Sequence, residues 1–426
     1  MDARIVVERA WLSDDGRRIN YSYKGTGRAA KFFSGRPSFY AEYEVDLSEV
    51  PESILLIPLI ANLAPIAWLA GVPLDVPTLD ARFLSALGQV KAVFMKDYPD
   101  ISGEDSPIQV EIPIQNEAYG SKHAMLFSGG VDAYATFFRH REEGLDLISI
   151  RGADIPVDDI DQWQRLVDLN AREPILSTHA KTHIEANLRD FYTYQVSLLI
   201  PTKAWWGTVQ HGLALNALVA PLAYVLGYSK VYIASSYTKA IQIVWGSTPE
   251  IDNAISWSGC EVEHDGYELQ RVDKIGLIVS ATSAAPEKVS LRVCYSELND
   301  GLNCSSCEKC FRTMLGLSLF GADPDKFGFV VRSGTYTNMI EMISSGFSGT
   351  GSRYFWWELS ERMRVVEPSG VHLLGTEDGY RVLVQALRNR LDQPITAQGP
   401  HPLKLALIER FPRSFAVYLK IRRRFS

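Results

Sequence analysis

The chain has 426 residues, 46% hydrophobic and 22% charged, the balance of an ordinary globular protein with room for two or three domains. Its formal net charge of −7 argues against a dedicated nucleic-acid binder. The N-terminal run MDARIVVERAWLSDDG is charged throughout and has no apolar signal segment, so a cytoplasmic location is expected.

In chain order, residues 3–11, 18–24 and 38–47 carry the apolar alternation of half-buried strands, and Asp15-Gly16 suggests a hairpin between the first two. Residues 53–71, SILLIPLIANLAPIAWLAG, hold no charge and approach the length of a membrane span. Pro58, Asn62 and Pro65 interrupt them and no basic cluster flanks them, so a buried helix pair is expected and no membrane contact. Residues 78–98 have helical spacing, and 99–106 form a polar linker. Residues 1–106 thus read as an α/β accessory module that packs on the main domain or reads a protein partner.

From residue 107 strands and helices alternate, the pattern of a parallel sheet with helices on both faces. Strands are expected at 124–127, 145–151, 174–178 and 230–235, and helices from near Asp132, over 158–171 and over 213–227. Residues 321–426 read as a helical region with a basic end at Lys420, Arg422, Arg423 and Arg424, and Tyr354 to Trp357 as core. Cys260 stands apart and reads as a core residue.

Two local patterns carry chemistry. In Leu126-Phe127-Ser128-Gly129-Gly130-Val131-Asp132 an apolar strand runs through a glycine pair into a helix. Glycine lets the backbone turn tightly and approach an anion, and the N–H groups at a helix start then point at it. Ser128 adds a hydroxyl donor, and Asp132 can cap the helix or hold Mg2+. The pattern is neither G-x-x-x-x-G-K-[ST] nor G-x-G-x-x-G. The second is Cys-x9-Cys-x2-Cys-x2-Cys at Cys294, Cys304, Cys307 and Cys310. Two-residue gaps turn consecutive thiolates onto one metal, and four thiolates suit a closed structural zinc site. An iron–sulfur cluster uses the same ligands.

The Ser128–Asp132 run resembles the S-G-G-x-D-[ST] signature of PP-loop ATP pyrophosphatases, with Ala133 where that family has Ser or Thr. With the cysteine cluster about 160 residues on, residues 121–320 resemble the 7-cyano-7-deazaguanine synthases of the queuosine pathway. The resemblance implies a PP-loop domain over 107–290 and a four-cysteine zinc segment over 291–320. It also implies adenylation of a carboxylate such as 7-carboxy-7-deazaguanine, with pyrophosphate release and capture by ammonia to give an amide and then a nitrile. Longer relatives linked to bacterial defence are associated with a protein amine as acceptor. Ser128, Gly129, Gly130 and Asp132 would then hold pyrophosphate and Mg2+, with Leu126, Phe127 and Val131 beside ATP. Lys274, in Arg271-Val272-Asp273-Lys274, would neutralise phosphate. His211, Glu250 and Asp252 are candidate substrate contacts, and a homodimer is expected. Another PP-loop branch, such as tRNA thiolation, and a non-catalytic nucleotide-binding module remain alternatives.

Overall fold

The computed structural model describes residues 2–99, 106–284, 288–294, 301–347, 349–392 and 410. Strands β1 (Ile5–Leu12) and β2 (Arg18–Gly25) pair antiparallel as the alternation predicts. Gly16 in their connection has φ +72°, and a β-carbon there would lie 2.1 Å from the Asp46 carboxylate. The third expected strand shortens to β3 (Tyr40–Tyr43). A short helix α1 (Glu52–Leu55) leads into α2 (Ile57–Ala70), where every residue from Ile57 to Leu69 is buried. A helix buried on all sides has no polar face to show, which explains the chargeless sequence.

The next two strands were not foreseen. β4 (Leu74–Asp80) takes the start of the expected 78–98 helix, which becomes α3 (Ala81–Asp97), capped by the Asp80 carboxylate accepting from the Phe83 N–H. β5 (Ile108–Ile114) pairs parallel to β4. The glycine-loop strand follows as β6 (Lys122–Leu126), then α4 (Val131–His140), β7 (Asp146–Arg151) and α5 (Ile160–Arg172). The strand expected at 174–178 is instead a single 3-10 turn, and the true strand is β8 (Lys181–Ala186). Pro174 opens that turn and Leu176 plugs the core, so the apolar run is buried without pairing.

The helix expected over 213–227 is two helices, α6 (His211–Ala217) and α7 (Ala220–Leu226). Pro221 has no N–H for the Ala217 carbonyl and its ring crowds it, so the helix breaks there. The helical stretch Trp206–Leu226 is long and apolar enough to cross a membrane, but 78% of its apolar window is buried inside the protein, as in a core helix. Then come β9 (Tyr228–Ala234), α8 (Pro249–Asp252), β10 (Ser256–Trp257), β11 (Cys260–Asp265) and α9 (Arg271–Ala284). α10 (Glu308–Ser318), α11 (Thr335–Ser345), α12 (Thr350–Val365) and α13 (Glu377–Leu391) complete the described chain. The basic residues at 420–424 lie outside the described residues.

The strands form one mostly parallel sheet in the order β10-β11-β9-β6-β7-β8-β3-β2-β1-β4-β5. The strands of residues 1–106 therefore extend the sheet of the glycine-loop region, joined through the antiparallel β3–β8 pair. The sheet curls so that the end of β4 approaches the β10–β11 hairpin: Ser258 donates its N–H and hydroxyl to the Asp80 carboxylate, and Arg82 of α3 pairs with Glu261 of β11 at 2.6 Å. One apolar core, containing α2, fills the inside of this curl. A second lies between α4, α9 and the C-terminal helices. β6 has β7 and β8 on one side and β9 and β11 on the other. Strand order thus reverses at the glycine loop, where a crevice opens in parallel α/β sheets.

Candidate active site

The glycine loop is fixed from both sides. The Phe127 carbonyl accepts from the Ser149 hydroxyl at 2.7 Å, and the Gly129 carbonyl from the Arg292 N–H at 2.7 Å. Gly129 has φ +73°, a conformation that side chains strain. Gly130 has an ordinary φ of −83°, and a β-carbon there would make only normal contacts, 3.4 Å from the Ser128 hydroxyl and 3.5 Å from the Arg292 carbonyl. The backbone does not require glycine at 130; its bareness leaves the start of α4 open. No side chain caps that helix.

The loop opens into a cavity of about 540 Å3, within the size range of small-ligand sites. Leu126, Phe127, Ser128, Gly130, Val131 and Asp132 all line it. So do five cationic side chains, Arg189, Arg271, Arg292, Lys309 and Arg312, drawn from four separate parts of the chain. Facing them is Asp154, in the open part of the cavity. Burial by the surrounding protein opposes its ionisation, but the Lys309 and Arg292 charges outweigh that and hold its carboxyl below the ordinary range. Burial also pushes Lys309 below the ordinary lysine range. So many cations in one cleft favour a ligand with several negative charges.

The far wall is aromatic. A π-helical turn, Trp206–Gln210, precedes α6, and such turns occur mostly where a side chain must be re-aimed. Gln210 locks it: its amide donates to Asn62 Oδ1 and to the Leu188 carbonyl at 2.7 Å each, and its oxygen accepts from the Tyr192 hydroxyl. Trp206 and His211 are thereby turned into the cavity, with ring centres 5.3 Å apart. Trp245 packs at 5.7 Å from His211, over Gly207, where a β-carbon would collide with its ring at 2.6 Å. Burial holds His211 below its ordinary value, and its Nδ1 is buried with no hydrogen-bond partner among the described residues. A planar, neutral, polar-edged ring fits such a wall.

Several expected site residues sit elsewhere. Lys274 does not line the cavity. Its ammonium is buried beneath it, donating to the Ser235 carbonyl at 2.5 Å and to Asp132 at 3.3 Å. Arg271, one turn earlier on α9, reaches the cavity and binds Asp132 Oδ2 at 2.5 Å. Both Asp132 oxygens therefore engage cations, Oδ2 the Arg271 guanidinium and Oδ1 the Lys274 ammonium. Asp252 is fully buried and accepts from Asn216, Ser247 and His264; neither it nor Glu250 lines the cavity. The expectation that these two read a substrate ring is corrected: α8 faces the neighbouring core. Tyr354 to Trp357 divide, with Trp356 in the core, Trp357 part-exposed and Phe355 in the cavity wall, stacked on Tyr237 at 5.3 Å. The cavity residues missed in the sequence come mostly from isolated positions, although Lys309 and Glu308 lie inside the cysteine cluster itself.

The four clustered cysteines come together. Their sulfur atoms all lie within 4.8 Å of one another, with Cys294–Cys307 and Cys304–Cys310 at 3.9 Å and Cys307–Cys310 at 3.5 Å. A tetrahedron with zinc–sulfur bonds of about 2.3 Å has edges of about 3.8 Å. The donor set thus fits a metal ion such as zinc. Cys260 is buried apart from the four, its thiol pushed up to about 12 by burial. α10 starts at the cluster and carries Glu308, Lys309 and Arg312 to the cavity, so a metal there would anchor one wall of the site. Searches against protein-family models, curated proteins and solved structures found no match to this chain.

Proposed function

We propose that the chain is an ATP-dependent ligase of PP-loop type. It would adenylate a carboxylate of the 7-deazaguanine class and pass the acyl group to ammonia or to an amine of a protein acceptor. The observation that carries this reading is the glycine loop at the strand-order reversal, opening onto one cavity with a cationic floor and an aromatic wall. In this reading the N–H groups at the start of α4 and the Ser128 hydroxyl hold the leaving pyrophosphate. Arg271, Arg292 and Arg312 offset the charge that grows on the phosphates in the transition state. Asp132 keeps Arg271 in place. Mg2+ enters as the counter-ion of ATP. The Trp206–His211–Trp245 wall takes a planar ring, in place of Glu250 and Asp252. The cysteine cluster is structural, with zinc completing its four-sulfur set.

The test is release of pyrophosphate and AMP from ATP with 7-carboxy-7-deazaguanine, with and without ammonium, followed by mass spectrometry of the products. Carboxylate-dependent release is expected, and the product mass distinguishes amide, nitrile and a retained adenylate. ATP bound without release, across a panel of aromatic carboxylates, would sink the ligase reading.

A further inference from the structure

Glu358 is a second carboxylate of the cavity, and it comes from the C-terminal region. Helix α12 lies against α9 and α10 and turns Ser352, Phe355, Glu358 and Leu359 into the cavity wall. Phe355 and Glu358 are three residues apart and share one face of the helix. The Arg271 guanidinium lies over the Phe355 ring at 4.4 Å, so Glu358 sits on the wall that Asp132 reaches through Arg271.

The surroundings of Glu358 are unusual for a structural carboxylate. It is 2% exposed, and Oε2 accepts a long bond, 3.4 Å, from the Val272 N–H in the first turn of α9. Oε1 is buried with no hydrogen-bond partner among the described residues, and Arg271 Nε, on the same wall, has none among them either. The Arg271 guanidinium, turned to Asp132, and the Glu358 carboxylate thus share one wall without forming an ion pair. A buried carboxylate oxygen without a donor is costly, and such groups persist where a ligand supplies the partner. The charged groups around it are Arg271 and Asp273 of α9 and Arg312 of α10, whose guanidinium also lies over the Phe355 ring, at 4.6 Å; its own helix contributes Tyr354.

We propose that Glu358 is a catalytic residue, the general base of the acyl-transfer half-reaction, which takes the proton from the incoming nitrogen. The proposal rests on the adenylation reading above. The nitrogen lone pair attacks the acyl carbon of the adenylate and the C–N bond forms. The acyl C–O bond to phosphate breaks, AMP leaves with the electron pair, and one N–H proton passes to Glu358 Oε1. Burial, opposed by Arg271, raises the Glu358 carboxyl to about 7, which suits a group that must be ionised to accept a proton and release it again near neutrality. The helical C-terminal region would thereby complete the site.

The experiment is a single-turnover transfer from acyl-adenylate formed on the full-length enzyme with ATP and 7-carboxy-7-deazaguanine, at several pH values. Ammonia, supplied as ammonium, and hydroxylamine serve as nucleophiles; hydroxylamine is mostly neutral at neutral pH, and its rates are read per concentration of free base so that its own ionisation is divided out. For E358Q, amide formation is expected to fall roughly 100-fold or more, with acyl-adenylate accumulating, and the rise of the wild-type hydroxylamine rate near pH 7 is expected to vanish. E358D, which keeps the carboxyl, should regain part of the rate and of the pH dependence. A wild-type transfer rate and pH profile in E358Q would overturn the proposal. A melting temperature for E358Q near that of the wild type shows that loss of rate is not loss of fold. If E358Q unfolds, E358D carries the decision: a pH profile identical to wild type overturns the assignment, and a displaced one supports it. If the wild type forms no acyl-adenylate from any carboxylate while binding ATP, the adenylation reading itself falls and takes the role of Glu358 with it.

Discussion

The two cores of this protein bury opposite kinds of chemistry. Around α2 the curled sheet encloses an apolar helix whose one amide side chain, Asn62, is satisfied by the Pro58 carbonyl and Gln210. On the other face the C-terminal helices close over a cavity of arginines, lysine and carboxylates, with sulfur ligands at its edge. The first arrangement gains free energy from every side chain it removes from water. The second gives some of that gain up, because charges held out of water cost free energy until a ligand pairs with them. Stability and chemistry are divided between the faces, and the Gln210 turn connects them.

The strongest way to break the contrast is to take the metal from the cavity side. On the zinc assignment proposed above, Cys307→Ser should reduce zinc from one ion per chain to none by elemental analysis and make α10 more accessible to proteases. The apparent free energy at stake is about 10 kcal/mol for a structural zinc site. Next is the apolar side. Trp68 is fully buried in α2, and Trp68→Ala should lower stability by about 3–5 kcal/mol in denaturant titrations while ATP affinity at 10 °C is unchanged. A smaller effect separates fold from function within the loop. Gly130→Ala should melt as the wild type does yet bind ATP about tenfold more weakly, near 1.4 kcal/mol, by titration calorimetry.

The smallest expected effect is a pH dependence at the edge of the second core. Burial opposes charge on His140, but hydrogen bonds to Asp265 and Glu143 outweigh it and raise its value. Burial likewise opposes ionisation of Glu143, and His140, Tyr232 and His123 outweigh it, lowering its carboxyl to about 2. The His140 contribution is therefore complete below its unfolded value of about 6.5 and is lost as pH rises through the folded one. The Glu143 contribution is present above 4.5 and is lost as pH falls toward 2. His140→Gln should flatten the alkaline side of a plot of melting temperature against pH; an unchanged slope there would show that another group sets it.

What could be read from the sequence was local. The Ser128–Asp132 loop and the four cysteines declare themselves through spacings of two to nine residues, and the structure places the loop at a sheet reversal and the sulfurs in one cluster. β4 and β5 did not declare themselves: β5 is an edge strand whose side chains are half-buried at most, so its alternation lacks a sharp apolar face. Pro174-Ile175-Leu176 imitated a strand because burial alone makes an apolar run. Asp252 looked available for a ligand because its partners, Asn216 and His264, lie 36 and 12 residues away. Glu358, Arg292 and Trp245 each enter the cavity from their own element, and no local pattern names them.

The burial of α2 has a consequence for how the chain is made. Its cover includes α6, which begins at His211, about 140 residues after α2 ends at Ala70. At roughly 5–20 residues per second, the helix is made roughly 7–28 s before the helix that packs against it exists. During that interval fourteen residues without a charge face water or a chaperone. Ribosome-bound nascent chains ending near residue 150 should therefore recruit chaperones far more strongly than chains released beyond residue 270.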